Sequence, residues 1–351
     1  GEATASNFQL VSTPVPTHDQ LADGQVLVRH HFLSLDPYMR GRMNDSKSYA
    51  EPHPLNTVMI GGTVGEVVAS KHPKFAVGDQ VLGMGGWQEY SVVDANVRGT
   101  LNKVDTTHIP LSAYLGSVGM PGVTAWYGLV KIINPKAGET VVVSAASGAV
   151  GSVVGQLAKA RGCRVVGVAG GVDKCEYVVK ELGFDACVDY KAHTDPKSFY
   201  KALKEATPNG IDGYFENVGG MILDAVMARM NAFGRIAVCG MIAGYNGEPT
   251  PLQNPGLILV NRLKVEGFIV SEHPEVWGDG PAQVPRVRGL RHCQCARGLP
   301  GSAQGQELWQ TTGQADLTDS GLYRGYTKDN NMANWKLQAG QTVVIIGAGG
   351  G

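Results

Sequence analysis

The sequence predicts an α/β protein in two parts, an antiparallel β domain followed by a doubly wound parallel sheet. Three observations predict it. Residues 1–121 alternate short β-rich pieces with turn signals and carry no long helical period. Residues 122–270 alternate fully apolar strand segments with helical patterns, as βαβ units require. The chain, at 351 residues, is long enough for two cores of ordinary size.

GQVLVRHHF, VMIGGTVGEVVAS and FAVGDQVLGMGGWQEYSVV read as strands of a partly barrel-like first domain. TAWYGLVKII then reads as a helix, ETVVVSAA as a buried strand, GAVGSVVGQLAKARG as a helix and RVVGVAGG as a second apolar strand. KCEYVVKELG is helical, ACVDY a short strand, IDGYFENVGG a strand and turn, and RIAVCGMIAGYN a strand and loop. The 48 glycines suit tight strand-to-helix turns where a backbone approaches a ligand closely.

Composition excludes several function classes. A net charge of -1 gives no electrostatic case for nucleic acid or anionic membrane, which leaves a small-molecule ligand. Six cysteines are scattered, without a dense disulfide framework, so reduced thiols in a cytoplasmic chain are expected. No apolar run reaches membrane-spanning length and no signal peptide is visible. The chain begins without Met, so a truncated N-terminus is expected.

The stretch GETVVVSAASGAVGSVVGQLAKARGCRVVGVAGG carries the chemistry. Strand, small-residue turn and helix follow one another, with Ala146, Gly148 and Gly151 at the three places of a dinucleotide fingerprint. Small residues admit a pyrophosphate, and the N–H groups of Ala149, Val150 and Gly151 at a helix N-terminus supply donors and a positive dipole. An NAD site calls for an acidic residue about 20 positions further on. Here the second strand ends instead in Gly170 and Gly171, with Lys174 on the next helix and Tyr190 closing the following strand. A glycine floor beside a cation suits a 2'-phosphate, hence NADPH. The competing reading of Lys174 is a solvated helix lysine.

LSLDPYMRGRM, MIGGTVGEVV, GMPGVTAWYGL, YFENVGG and GFIVSEHPEVW, together with the fingerprint stretch, resemble the zinc-free branch of the medium-chain dehydrogenase/reductase superfamily. The match is to enone and alkenal double-bond reductases, similar to prostaglandin/leukotriene reductases and to bacterial curcumin-reductase-like enzymes. The resemblance implies a GroES-like substrate domain, a Rossmann domain over residues 122–270, NADPH, a homodimer, and hydride addition to a carbon-carbon double bond conjugated to a carbonyl. Quinone reduction, or NADPH binding with impaired catalysis, are the alternatives.

No metal is expected. The first domain contains no Cys, and His30, His31, His53, His72 and His108 lack thiol partners and ligand spacing, so they read as scattered surface histidines. His292, Cys293 and Cys295 lie together on an irregular tail that makes a poor zinc site.

Without a metal, the reaction needs a group to stabilise charge on the carbonyl oxygen. The resemblance offers Tyr245, in a loop after a strand at the carboxyl end of the sheet, and Tyr49 in KSYAEP as a substrate-loop residue. Either could equally be an ordinary loop tyrosine. It also carries over Asn217 near the nicotinamide ribose, Met120 and Thr124 at the turn entering the cofactor cleft, Cys239 and Gly240 beside the nicotinamide, and the backbone of Phe268, Ile269 and Val270 at its carboxamide. Each could instead be structural; a strand-end Cys is usually a small buried hydrophobe.

The resemblance stops after Trp277. Read forward by one base, the codons of the tail change meaning. Trp309 gives Gly, Gln304, Gln306, Gln310 and Gln314 each give Lys or Arg, and Glu307 gives Asn or Ser. These restore the family's closing pattern in order. An out-of-frame tail from about residue 278 to 283 onward is therefore expected, of mixed composition and poor order. The final LQAGQTVVIIGAGGG resembles a second dinucleotide-type strand and turn, with no helix to complete it.

Overall fold

A computed structural model describes residues 3–193, 195–247, 250–277, 314–316, 322–325, 333–336 and 341–347. The chain divides into two compact units, one of Gly1–Leu115 with Leu299–Gly351 and one of Gly116–Gly298.

The first unit contains β1 (Phe8–Pro14), β2 (Gln25–Ser34), the short helix α1 (Tyr38–Arg42), β3 (Thr63–Ser70), β4 (Gln80–Gly83), β5 (Tyr90–Asp94) and β6 (Leu101–Lys103). β2 pairs antiparallel with β3 and β5, and β3 continues to β4 and β6, the antiparallel sheet expected of a GroES-like domain. Alternation along β2 explains its two faces: Val26 and Val28 pack with Val67, Val81 and Leu101, whereas Leu27 packs with Leu21 and Ala69. His30 departs from the expected surface setting. It is buried, its Nε2 lies 2.8 Å from Ser91 Oγ, and burial with the neighbouring His31 lowers its pKa to about 4. The alternation of β2 decides this, because His30 shares the inward phase of Val26 and Val28.

The second unit contains α2 (Met120–Tyr127), which runs into a wider turn over Gly128–Ile133, then β7 (Thr140–Ser144), α3 (Ala149–Ala160), β8 (Arg164–Ala169), α4 (Val172–Lys180), β9 (Ala186–Asp189), α5 (Pro196–Ala206), β10 (Ile211–Glu216), α6 (Gly220–Met227), β11 (Met230–Val238), α7 (Gly256–Val260) and β12 (Lys264–Gly267). The strands form one parallel sheet of order β12-β11-β10-β7-β8-β9, a doubly wound topology with its switch point at β7 and β10. Both faces are covered, which is why the central strands read as continuous apolar runs. Val141, Val143 and Phe215 pack with Val153, Val154 and Leu157 of α3. On the other face Val142, Val166 and Tyr214 pack with Phe199 and Leu203 of α5 and Val226 of α6.

Four short strands lie beyond Trp277: β13 (Gln314–Asp316), β14 (Leu322–Gly325), β15 (Ala333–Lys336) and β16 (Gln341–Gly347). The expectation of poor order is thus corrected at these segments. β13 pairs antiparallel with the end of β2, and β16 pairs antiparallel with all of β1. β16, whose sequence resembles a dinucleotide-type strand, joins β1 in a two-stranded antiparallel sheet, in keeping with the lack of a helix to complete such a site. Its Thr-Val-Val-Ile-Ile run favours any pleated pairing, and β1 supplies the backbone partner. Most of SAQGQELWQTTGQA, and His292, Cys293 and Cys295, lie outside the described residues.

Candidate cofactor site

The turn from β7 to α3 is built for close approach. Ala145 adopts φ 49°, a conformation unusual for a residue with a side chain, and its carbonyl accepts from Gly148 N at 2.9 Å. A Cβ on Gly151 would lie 2.3 Å from Ala145 O, so only glycine permits this crossing of helix and turn. Gly148 is the N-cap of α3, and Ser147 to Val150 stay half-buried, which leaves the helix N-terminus open with the N–H groups of Ala149 and Val150 facing no carbonyl of an earlier turn. Ala146 is fully buried and takes no open position in the turn.

The ends of β8 and β9 make the second part. The Tyr190 ring lies against Gly170, where a Cβ would come within 2.8 Å of the phenol oxygen. Asp189 accepts from Gly171 N at 2.7 Å and from Lys191 N at 2.9 Å, which fastens the start of α4 to the turn after β9. Lys174 is half-buried, and burial together with the Lys191 charge holds its ammonium below the usual lysine range. Two cations that disfavour one another stand beside a glycine floor, an arrangement that an anion would relieve. Sequence reasoning found Lys174 and missed Lys191. The only signal was a second Lys immediately after Tyr190.

The third part lies at the ends of β10 and β11. Glu216 is fully buried and accepts from Ser144 Oγ at 2.9 Å, Tyr214 Oη at 2.8 Å, Gly219 N at 3.0 Å and Val218 N. Asn217 donates from its backbone to Ser144 Oγ at 2.8 Å and from Nδ2 to Ser144 O at 2.7 Å, tying β10 to β7. Burial and the Glu216 carboxylate push the Cys239 thiol up to about 12. The Tyr245 hydroxyl accepts from Met241 N at 3.4 Å and lies 3.2 Å from where a Cβ of Gly240 would stand. Tyr245, Gly240, Asn217 and Cys239 are therefore brought together. Glu216 and Ser144, which organise them, were not singled out from sequence.

Thr124 donates to Met120 O at 2.7 Å within α2, and Met120 is partly exposed. The Phe268 ring is buried, stacked on Tyr127 and edge-on to Phe215, so only its main chain is open to a ligand. The Val270 carbonyl already accepts from His273 N at 3.2 Å and Trp277 Nε1 at 3.1 Å. Tyr49 belongs to the first unit, is half-exposed, and carries the Arg42 guanidinium 5.2 Å over its ring. Among the described residues no group of three or more His, Cys, Asp or Glu could hold a metal ion, and no helix is long and apolar enough to cross a membrane.

Residues 1–103 match the family model described as the N-terminal domain of oxidoreductase, and residues 149–281 match that described as zinc-binding dehydrogenase. The chain is 46% identical over 278 residues to an NADPH-dependent curcumin reductase of Escherichia coli (strain K12), spanning 78% of each chain. It is 44% identical over 275 residues to a 2-alkenal reductase (NADP(+)-dependent) of Nicotiana tabacum, covering 78% of this chain and 79% of that one. Among solved structures, CurA from Vibrio vulnificus in complex with NADPH is 46% identical, with a TM-score of 0.71, over 79% of this chain and 81% of that chain. A doubly wound parallel sheet, together with these relatives, marks an NADPH-dependent oxidoreductase. The chain belongs to the medium-chain dehydrogenase/reductase superfamily.

Proposed function

We propose that the protein reduces the carbon-carbon double bond of α,β-unsaturated ketones and aldehydes. The observation that carries this reading is the placement of the Tyr245 phenol beside Gly240 and Asn217 at the carboxyl end of the sheet. Ala149, Val150 and Gly151 would hold the pyrophosphate, Lys174, Lys191 and Tyr190 the 2'-phosphate, and Asn217 the nicotinamide ribose, with the main chain of Phe268 to Val270 near the carboxamide. Bound NADPH supplies a hydride for the β-carbon. The chain's own residues then serve the developing enolate: the Tyr245 hydroxyl donates a hydrogen bond to its oxygen. Protonation of the α-carbon falls to the same phenol or to water.

The test is oxidation of NADPH followed at 340 nm with enones, enals, saturated aldehydes and quinones. Turnover of enones with saturated ketone as product supports the reading. Turnover of quinones alone, or NADPH binding with no turnover, overturns it. Tyr245→Phe is expected to lower kcat roughly 30-fold while leaving the NADPH Kd unchanged.

Among the described residues β12 ends the parallel sheet, and its exposed apolar side chains support a homodimer. Val265 on that strand, with nearby Leu259, Val260 and Phe233, is an exposed apolar side chain, and Phe233 N bonds Asn261 O at 2.8 Å, so these residues adjoin one another. A second copy of the chain is the occupant, in a cytoplasmic protein. Val265→Lys is expected to convert a dimer to a monomer in light scattering. The tail beyond about residue 278 is read as out of frame, on the codon shift that restores the family's closing pattern. An intact mass that lacks this tail would show that the protein made in the cell is in frame.

A further inference from the structure

Two of the cysteines stand apart from the proposed catalytic groups and close to one another. Cys187 Sγ donates to Cys175 Sγ at 3.1 Å, from β9 across to the first turn of α4. The space for this contact comes from Gly167, which pairs with Cys187 across the β8–β9 ladder. A Cβ on Gly167 would lie 3.3 Å from Cys187 Sγ and 2.8 Å from the Cβ of Ala146. The two thiols therefore sit between the dinucleotide turn and the start of α4. Both are half-buried, with neither sealed from solvent. Cys175 follows Lys174 directly, and its N–H bonds Gly171 O at 3.1 Å. Gly171 in turn donates to Asp189, two residues beyond Cys187.

We propose that Cys175 and Cys187 form a dithiol that hydrogen peroxide converts to a disulfide, and that closing this bridge weakens NADPH binding at the neighbouring 2'-phosphate pocket. The sulfur–sulfur bond forms as the two S–H bonds and the peroxide O–O bond break. Two electrons and two protons pass to the peroxide, and two waters leave. A disulfide bond is about 2.05 Å long, so the sulfurs must approach by about 1 Å. That movement draws the first turn of α4 against the sheet, carrying Lys174 and Gly171 away from the positions that serve the phosphate. Thiolate is the attacking species, and burial pushes both thiols up, so the bridge forms faster as the pH is raised above neutral. The proposal rests on the reading that Lys174 and Gly171 border the 2'-phosphate.

The test uses the full chain treated with hydrogen peroxide, blocked with N-ethylmaleimide and digested with trypsin, beside a fluorescence titration with NADPH. Cleavage after Lys174, Lys180 and Lys191 separates the two cysteines on different peptides. The expected result is a peptide pair joined through Cys175 and Cys187, an NADPH Kd raised roughly tenfold, and recovery with dithiothreitol. Cys175→Ser is expected to keep the reduced protein's Kd and lose the response to peroxide. Maleimide on both cysteines after peroxide overturns the proposal, as does a bridge that leaves the Kd unchanged while Lys174→Ala still lowers the preference for NADPH over NADH. If Lys174→Ala leaves that preference intact, it is the reading of the pocket that fails.

Discussion

The two halves of the parallel sheet's carboxyl edge are built by opposite means. At β7, β8 and β9 the main chain and glycines set the shape: an open helix N-terminus, a turn that admits no Cβ at Gly151, and two lysines near the surface. At β10 and β11 a buried carboxylate organises everything, with Ser144, Tyr214 and two backbone N–H groups directed at Glu216. On the proposed function the first half would meet a part of the cofactor that stays the same, for which shape and charge suffice. The second would present groups at fixed distances to a reacting carbon, and a satisfied buried network gives that rigidity.

The largest effect is expected at Gly151. Gly151→Val places side-chain atoms inside contact distance of Ala145 O and is expected to weaken NADPH binding roughly a thousandfold, measured by fluorescence titration, with the fold retained by circular dichroism. Glu216→Gln tests the other half. Its amide oxygen can keep the Val218 and Gly219 N–H groups, but its NH2 stands where Oε2 accepts from Tyr214 Oη, so a stability loss of about 2 kcal/mol in urea unfolding is expected, together with a lower kcat. A variant as stable as the parent would show that the network is dispensable. The double substitution Lys174→Ala with Lys191→Ala is expected to weaken NADPH roughly 30-fold, leave NADH unchanged, and flatten the salt dependence of NADPH binding. The smallest effect is at Cys239, whose thiol is pushed up to about 12. Iodoacetamide at pH 7.5 should leave it unmodified in the folded protein and label it after denaturation, as peptide mapping would show.

Much of the first half was legible in the sequence because it is local. Strand, small-residue turn and helix follow one another within ETVVVSAASGAVGSVVG, and the missing acidic residue at Gly170 is read from the end of the next strand, RVVGVAG. Lys191 escaped because it meets Lys174 only through the pairing of β8 with β9 and the Asp189 clasp on Gly171. Glu216 escaped for a related reason. Its partner Ser144 belongs to β7, which becomes the neighbour of β10 only in the folded sheet order. His30 was misplaced because its neighbours His31 and Arg29 suggest a surface, although the two-residue period of β2 turns it inward. The tail was harder still. Backbone pairing of β16 with β1 depends little on side-chain identity, so motifs and spacing in the tail give no sign of it.

Ala145 has one more consequence. A residue with a Cβ held at φ 49° carries a conformational penalty of about 1 kcal/mol that glycine would avoid. Glycine there would also let the unliganded loop sample many shapes, and each arriving cofactor would have to freeze them out. With alanine the loop is stiff before any ligand arrives, and the loss of entropy is borne once, during folding, instead of at every turnover.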